Sequence, residues 1–300
     1  MTDAQVETGG RSLSKSVIYG LLMGGGFLLS VLWIKELFIP LAAVAAAAGA
    51  WELATAIRAK GWYVPHIPVL VGGLAIMPVT FWSGATGFGG KGQWIVALIT
   101  IATSVLWRLG HLFFEHKAGE KATFKQVVRD IAAAAFVTIY LPLTCSFIVL
   151  LLSIKTDGLG NHIDGGFWVV TSITTVALID TTGYLVGRKW GKTPFAPRVS
   201  PKKTWEGFAG GVLVGGAAAV IFSVELLHRG WLFGLILAAG LMFTSVMGDL
   251  SESLIKRDLG IKDMSSWLPG HGGVVDRLDS HLPSAILVYL LATLPISLPF

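Results

Sequence analysis

Between Gly248 and Asp279 the chain sets acidic and basic side chains at helical spacing. Asp249, Glu252, Ser253 and Lys256 fall at i, i+3, i+4 and i+7, which is one face of a helix. Beyond a glycine-rich loop, Asp276 and Asp279 lie one helical turn apart. Carboxylates from two helix ends, surrounded by Lys and Arg, are ingredients of a magnesium–phosphate site. Mg²⁺ takes one or two carboxylates and completes its shell with substrate oxygens and water, and the cations neutralise charge that develops during phosphoryl transfer. The rival reading is a set of mutual salt bridges, and for Glu252, Asp258 and Asp263 the two readings weigh equally. His271, between Pro269-Gly270 and Gly272-Gly273, reads either as a phosphate donor or as a loop anchor. Its flanking glycines fit backbone lying close to a ligand.

Two further groups could serve the same chemistry. In DTTGYLVGRKWGK (180–192), Asp180, Gly183, Tyr184 and Gly187 share one helical face that leads into Arg188, Lys189 and Lys192. An aspartate inside a span is costly and faces a bundle interior or polar cavity; pairing with a lysine of a neighbouring helix is the rival account, and the functional reading is preferred because the same face leads into those three cations. In SPKKTWEG (200–207), Ser200 followed by Pro201 predicts an N-cap with proline at the first helical position. Lys202 and Lys203 would then sit in the first turn, where the dipole disfavours cations unless an anion joins them. Anionic lipid headgroups would also satisfy them. Gly207, Gly211 and Gly215 continue as a smooth stripe for close helix packing, within one chain or between the two chains of a homodimer.

The elements that must position these residues are membrane helices. The 300-residue chain is 53% hydrophobic and only 14% charged, with a mean hydropathy of +0.70, whereas soluble domains carry about 25% charged residues. Nine apolar segments are expected, at about 16–34, 38–57, 67–83, 94–114, 130–154, 166–187, 207–227, 231–250 and 281–297. Arg108 and His111 interrupt the fourth, and Pro142 predicts a kink in the fifth. With the N-terminus cytoplasmic, the inside segments hold nineteen Lys and Arg and the outside segments four, accounting for all 23. The predicted fold is an all-α, polytopic membrane helix bundle with its C-terminus outside. It forms one integral domain: a polar tail at 1–15, N-terminal helices over 16–160, and C-terminal helices with cytoplasmic catalytic loops over 161–300. The tail lacks a signal-peptide pattern, so the first segment is kept as a span. Cys145, the single cysteine, excludes an intramolecular disulfide and reads as a core residue. The loop GATGFGGKGQ (84–93) lacks phosphate-loop spacing and reads as a turn.

The run from Ser253 to Asp279 resembles the signature of the CDP-diacylglycerol synthase family, the integral membrane phosphatidate cytidylyltransferases. Ser253, Lys256-Arg257, Lys262-Asp263, Ser265, Leu268-Pro269, His271-Gly272-Gly273, Asp276-Arg277 and Asp279 carry the match. DTTGY…GRKWGKT and SPKKTWEG resemble a second conserved region of that family, with Gly183 standing where alanine is expected. The first 160 residues match only as a hydrophobic bundle. The resemblance implies that CTP and phosphatidic acid yield CDP-diacylglycerol and pyrophosphate with Mg²⁺ or another hard divalent ion such as Mn²⁺. It implies Asp249 and Asp276 as metal ligands, with Asp279 and Asp180 as further candidates. Lys256 and Arg257 would act on the reacting phosphates. Ser200, Lys202, Lys203, Ser253, His271, Arg277, Asp180 and Tyr184 would line the substrate site. The expected partners are CTP, phosphatidic acid and membrane lipid, with no nucleic acid. The expected location is a bacterial inner membrane with the site facing the cytoplasm. A CTP-dependent polyprenol or dolichol kinase and a secondary transporter are the rivals. Against the kinase stands the full run from His271 to Asp279. Against the transporter stand the lack of internal repeats and the clustering of charge on one face.

Overall fold

The structure, a computed structural model, describes residues 25–26, 29–117, 122–197, 199–267 and 272–296. Helix α1 (Lys35–Ala59) contains the run AAVAAAAGA, whose small side chains cost a helix least. Helices α2 (His66–Ala85) and α3 (Lys91–Lys117) follow. Then α4 (Phe124–Thr138) passes through a π-helical segment (Ile139–Leu143) into α5 (Thr144–Leu152). Pro142 sits inside that π segment. Its ring nitrogen has no proton to donate, so the ladder widens there, and the expected kink takes the form of a π-bulge.

The second half begins with α6 (Gly165–Trp190), followed by a hairpin of β1 (Pro194–Ala196) and β2 (Ser200–Thr204). Helices α7 (Trp205–Glu225) and α8 (Gly230–Leu259), the single turn α9 (Val275–Leu278) and α10 (His281–Thr293) complete it. Consecutive helices pack as neighbours within each half, and α10 touches α5, α6 and α8, joining the halves. Cys145 is buried in the apolar core, as expected.

Among the described residues, seven helical segments are long and apolar enough to cross a membrane: α1, α2, α3 to Glu115, the run Phe124–Leu152, α6, α7 and α8. The expected segment 16–34 lies mostly outside the described residues. The expected ninth is α10, whose 13 residues rise about 20 Å against a hydrocarbon core of about 30 Å. The fourth segment is not broken by its charges. Arg108 is buried and pairs with Asp130 at 2.9 Å and Glu115 at 3.0 Å, and Glu115 also meets His111 at 3.0 Å.

The glycine stripe is used within the chain. A Cβ on Gly207 would stand 2.6 Å from the Gly183 carbonyl, and one on Gly215 would stand 2.3 Å from the Ile179 side chain. Small residues therefore let the α6 and α7 backbones touch.

Candidate active site

The main departure from expectation falls at residues 200–204. Ser200 is not a helix cap and Pro201 is not a first helical residue. Both lie in β2, which pairs antiparallel with β1, Ala196 opposite Ser200 and Pro194 opposite Thr204. Prolines at 194, 197 and 201 account for this, because each drives the residue before it out of the helical region. Lys202 and Lys203 consequently precede α7 instead of occupying its first turn. The cap is Thr204, whose hydroxyl accepts from the Gly207 N–H at 3.2 Å. Glu206 reaches back from the first turn and accepts from the Lys192 and Thr193 N–H groups at 3.1 and 3.2 Å. Phe195 of β1 stacks on Phe208 and meets Trp205 edge-on, so the hairpin is fastened to α7 on its apolar side.

This hairpin, the end of α6 and the second half of α8 enclose a cavity of about 750 Å³. Asp180, Tyr184, Ser200, Lys202, Lys203 and Asp249 line it, together with Arg188 and Lys192. Its floor is apolar, with Ile179, Phe208, Met242 and Val246, and its α6–α7 wall is glycine. The geometry thus offers cations and hydroxyl at one end and a greasy slot at the other. Lys203 pairs with Asp249, both groups partly exposed. The Arg188 guanidinium donates to the Tyr184 hydroxyl at 3.4 Å. Asp180 accepts from the Ser245 hydroxyl at 3.0 Å.

The remaining expected residues form a second group beside this wall. Lys256 bridges Glu252 at 2.5 Å and Asp276 at 2.8 Å. Asp276 also accepts at Oδ2 from the Met264 and Gly273 N–H groups, at 3.0 and 2.7 Å. Burial pushes the Asp276 carboxyl up, but its hydrogen bonds with Glu252, Lys256 and these amides hold it below its ordinary value. Asp279 behaves oppositely. Burial, aided by the Asp249 and Asp180 charges, pushes its carboxyl up to about 7. Close approach here depends on Gly248, where a Cβ would lie 2.3 Å from the Asp279 carbonyl oxygen. Ser253 stands 3.5 Å from Asp249.

Electrostatically, then, Asp180, Asp249 and Asp279 act on one another, while Asp276 is engaged by Lys256 and the loop. Arg257 does not face the cavity; its Nε donates to the Val199 carbonyl at 2.5 Å and holds the hairpin turn. Arg277 is exposed. His271 lies outside the described residues.

The donor set suits a hard cation. It offers carboxylate oxygens only, and Glu252 Oε1 is buried without a hydrogen-bond partner among the described residues. Among the described residues no three acidic, Cys or His side chains converge closely enough to cage an ion alone.

Comparison with known proteins adds a lineage to this geometry. A model of the cytidylyltransferase family matches residues 14–294. The phosphatidate cytidylyltransferase of Mycobacterium tuberculosis (strain ATCC 25618 / H37Rv) is 34% identical over 294 residues, covering 95% of this chain and 84% of that protein. Its namesake in Mycobacterium leprae (strain TN) is 35% identical over 297 residues, covering 95% and 89%. The phosphatidate cytidylyltransferase of Haemophilus influenzae is 40% identical over 121 residues, which is 39% of this chain and 42% of that protein.

Proposed function

Because the chain belongs to the cytidylyltransferase family, we propose that it is a membrane nucleotidyltransferase converting CTP and phosphatidic acid to CDP-diacylglycerol and pyrophosphate. The observation that carries the reading is the cavity itself. It sets Lys202, Lys203, Ser200 and Arg188 beside the carboxylates of Asp180 and Asp249, above an apolar floor. A triphosphate needs the first set, a cation-assisted transfer the second, and a diacylglycerol body the third.

In the proposed reaction a phosphate oxygen of phosphatidic acid attacks the α-phosphorus of CTP. The bond from that phosphorus to the bridging oxygen of the β-phosphate breaks, and pyrophosphate leaves with the electron pair. The chain supplies position and charge, which dominate in phosphoryl transfer. Lys202 and Lys203 meet phosphate oxygens, Ser200 and Tyr184 hydrogen-bond and orient them, and Lys256 holds the Asp276 carboxylate in place. Asp249 and Asp276, with Asp279, would hold Mg²⁺ or Mn²⁺. When bound, such an ion neutralises charge on the phosphates and fixes their geometry. Arg257 acts in this scheme through the hairpin backbone. The cavity end of the bundle is taken as cytoplasmic, where CTP is present. Nine spans with the N-terminus inside, in a bacterial inner membrane, fit the distribution of Lys and Arg.

The test is incubation of the purified chain in lipid micelles with CTP labelled at the α-phosphate, phosphatidic acid and Mg²⁺. Label should move to the lipid phase as CDP-diacylglycerol, with pyrophosphate released in equal amount. Release of CDP with a phosphorylated lipid would indicate a kinase, and no labelled lipid would sink the reading.

A further inference from the structure

Glu52 is a carboxylate in the half of the chain that carries no motif. It is 2% exposed, and burying a carboxylate is costly unless donors meet it. Two donors come from the segment that follows α8. The Ser265 hydroxyl donates to Glu52 Oε1 at 2.5 Å, and the Val275 N–H donates to Oε2 at 3.1 Å. The loop backbone lies hard against the same carboxylate, since a Cβ on Gly273 would sit 2.7 Å from Oε2.

The position of these two donors in the chain is what matters. Ser265 directly follows Met264, whose N–H donates to Asp276. Val275 directly precedes Asp276 itself. Each end of the loop is therefore pinned to Glu52 one residue, about 3.8 Å, from a group that fixes the Asp276 carboxylate. The Ser265 hydroxyl also accepts from the Trp267 N–H at 3.2 Å, which holds the outgoing chain to the same point. Lys60, near the end of α1, pairs with Asp258 at the end of α8 at 2.9 Å. Helix α1 thus holds both the root of the loop and its two ends.

We propose that Glu52 is a positioning residue for the transfer reaction, acting from α1 through the loop backbone on Asp276. The proposal rests on the role given to Asp276 above, so its test includes a measurement that needs neither metal nor substrate. Hydrogen exchange is followed in the purified full chain for wild type, Glu52→Ala and Glu52→Gln. With both loop anchors lost, Glu52→Ala should speed exchange in peptides spanning 261–276 by about tenfold and leave peptides of the hairpin 193–204 unchanged. Its kcat should fall about 10- to 100-fold and its half-saturating Mg²⁺ should rise, the scale seen when groups orienting a metal ligand are removed. The KM for CTP should change less than about twofold, within the ordinary spread of contact effects.

Glutamine keeps the shape, with its oxygen accepting from Val275 N–H and its amide donating to the Ser265 hydroxyl. Glu52→Gln should therefore restore most of the exchange protection and much of kcat. If Glu52→Ala does not fold, Ser265→Ala removes one anchor alone and should speed exchange at 264–267, with a smaller loss of kcat. Unchanged exchange over 261–276 in these variants overturns the proposal, as does faster exchange with unaltered kcat. Failure of the Asp276 reading looks different: Asp276→Asn would keep normal turnover while the exchange pattern of Glu52→Ala stayed as expected.

Discussion

Two ion pairs stand at opposite ends of the α6–α8 layer, and they are built differently. Before the start of α6, Asp157 meets Arg229 at 2.6 Å with side-chain exposures of 0% and 2%. Both carboxylate oxygens and both terminal guanidinium nitrogens of that pair are engaged. Asp157 also accepts from the Leu159 and Asn161 N–H groups at 2.9 and 2.8 Å, and Arg229 donates to the Ile296 carbonyl and covers the Phe233 ring. At the other end, Lys203 and Asp249 are 25% and 29% exposed and open onto the cavity. The closed pair leaves nothing for a ligand to satisfy. The open pair holds opposite charges where a phosphate and a cation can divide them. A charge in this chain is thus read as structural or functional from what else its oxygens and nitrogens already touch.

The sharpest way to break that contrast is to neutralise the open carboxylate. Asp249→Asn keeps the size and loses the charge. Its kcat should fall by about 10³-fold, the scale of a lost electrostatic contribution to the transition state, while thermal unfolding in detergent stays close to wild type. Near-normal turnover across a magnesium titration would remove Asp249 from the cation site. Lys203→Ala tests the other partner and should act more weakly, raising the KM for CTP or phosphatidic acid about tenfold, as expected for one charge-assisted phosphate contact. Unchanged affinity for both substrates would return Lys203 to facing lipid headgroups.

These two residues were legible in the sequence because their signals are local. Asp249 lies on a helical face with Ser253 and Lys256, and the lysines follow a proline in an otherwise apolar chain. The membrane bundle was legible for the same reason, since length and hydropathy are properties of contiguous residues. What escaped was set at a distance or by competition. At 200–204 a cap-and-proline reading met three prolines, and their bias toward extended backbone won, with Thr204 taking the cap. Arg257 sits among phosphate-binding candidates by sequence, yet its partner is the Val199 carbonyl 58 residues away. Glu52 escaped because its partners are 213 and 223 residues distant; a lone carboxylate inside an alanine-rich span was the available signal.

The closed pair supplies the smallest effect on turnover and the clearest sign. Burial pushes the Asp157 carboxyl up, but the Asn161 N–H, the Asn161 side chain, Arg229 and the Leu159 N–H outweigh it and hold it below its ordinary value of 3.8. The folded state therefore binds fewer protons than the unfolded state between the lowered value and 3.8. Stability from this group is present above that window and is lost as pH falls through it. Asp157→Asn should leave kcat per folded molecule unchanged and cost roughly 1.5–3 kcal/mol of stability at neutral pH, the range for hydrogen bonds to a charged group. The gap between wild type and variant should stay constant from about pH 8 to pH 5 and narrow below about pH 4, near the ordinary aspartate value. Unfolding measured in detergent across that range checks it. A gap that persists undiminished at low pH would mean that shape, and not charge, closes this end of the layer, and exposure alone would then no longer separate the two pairs.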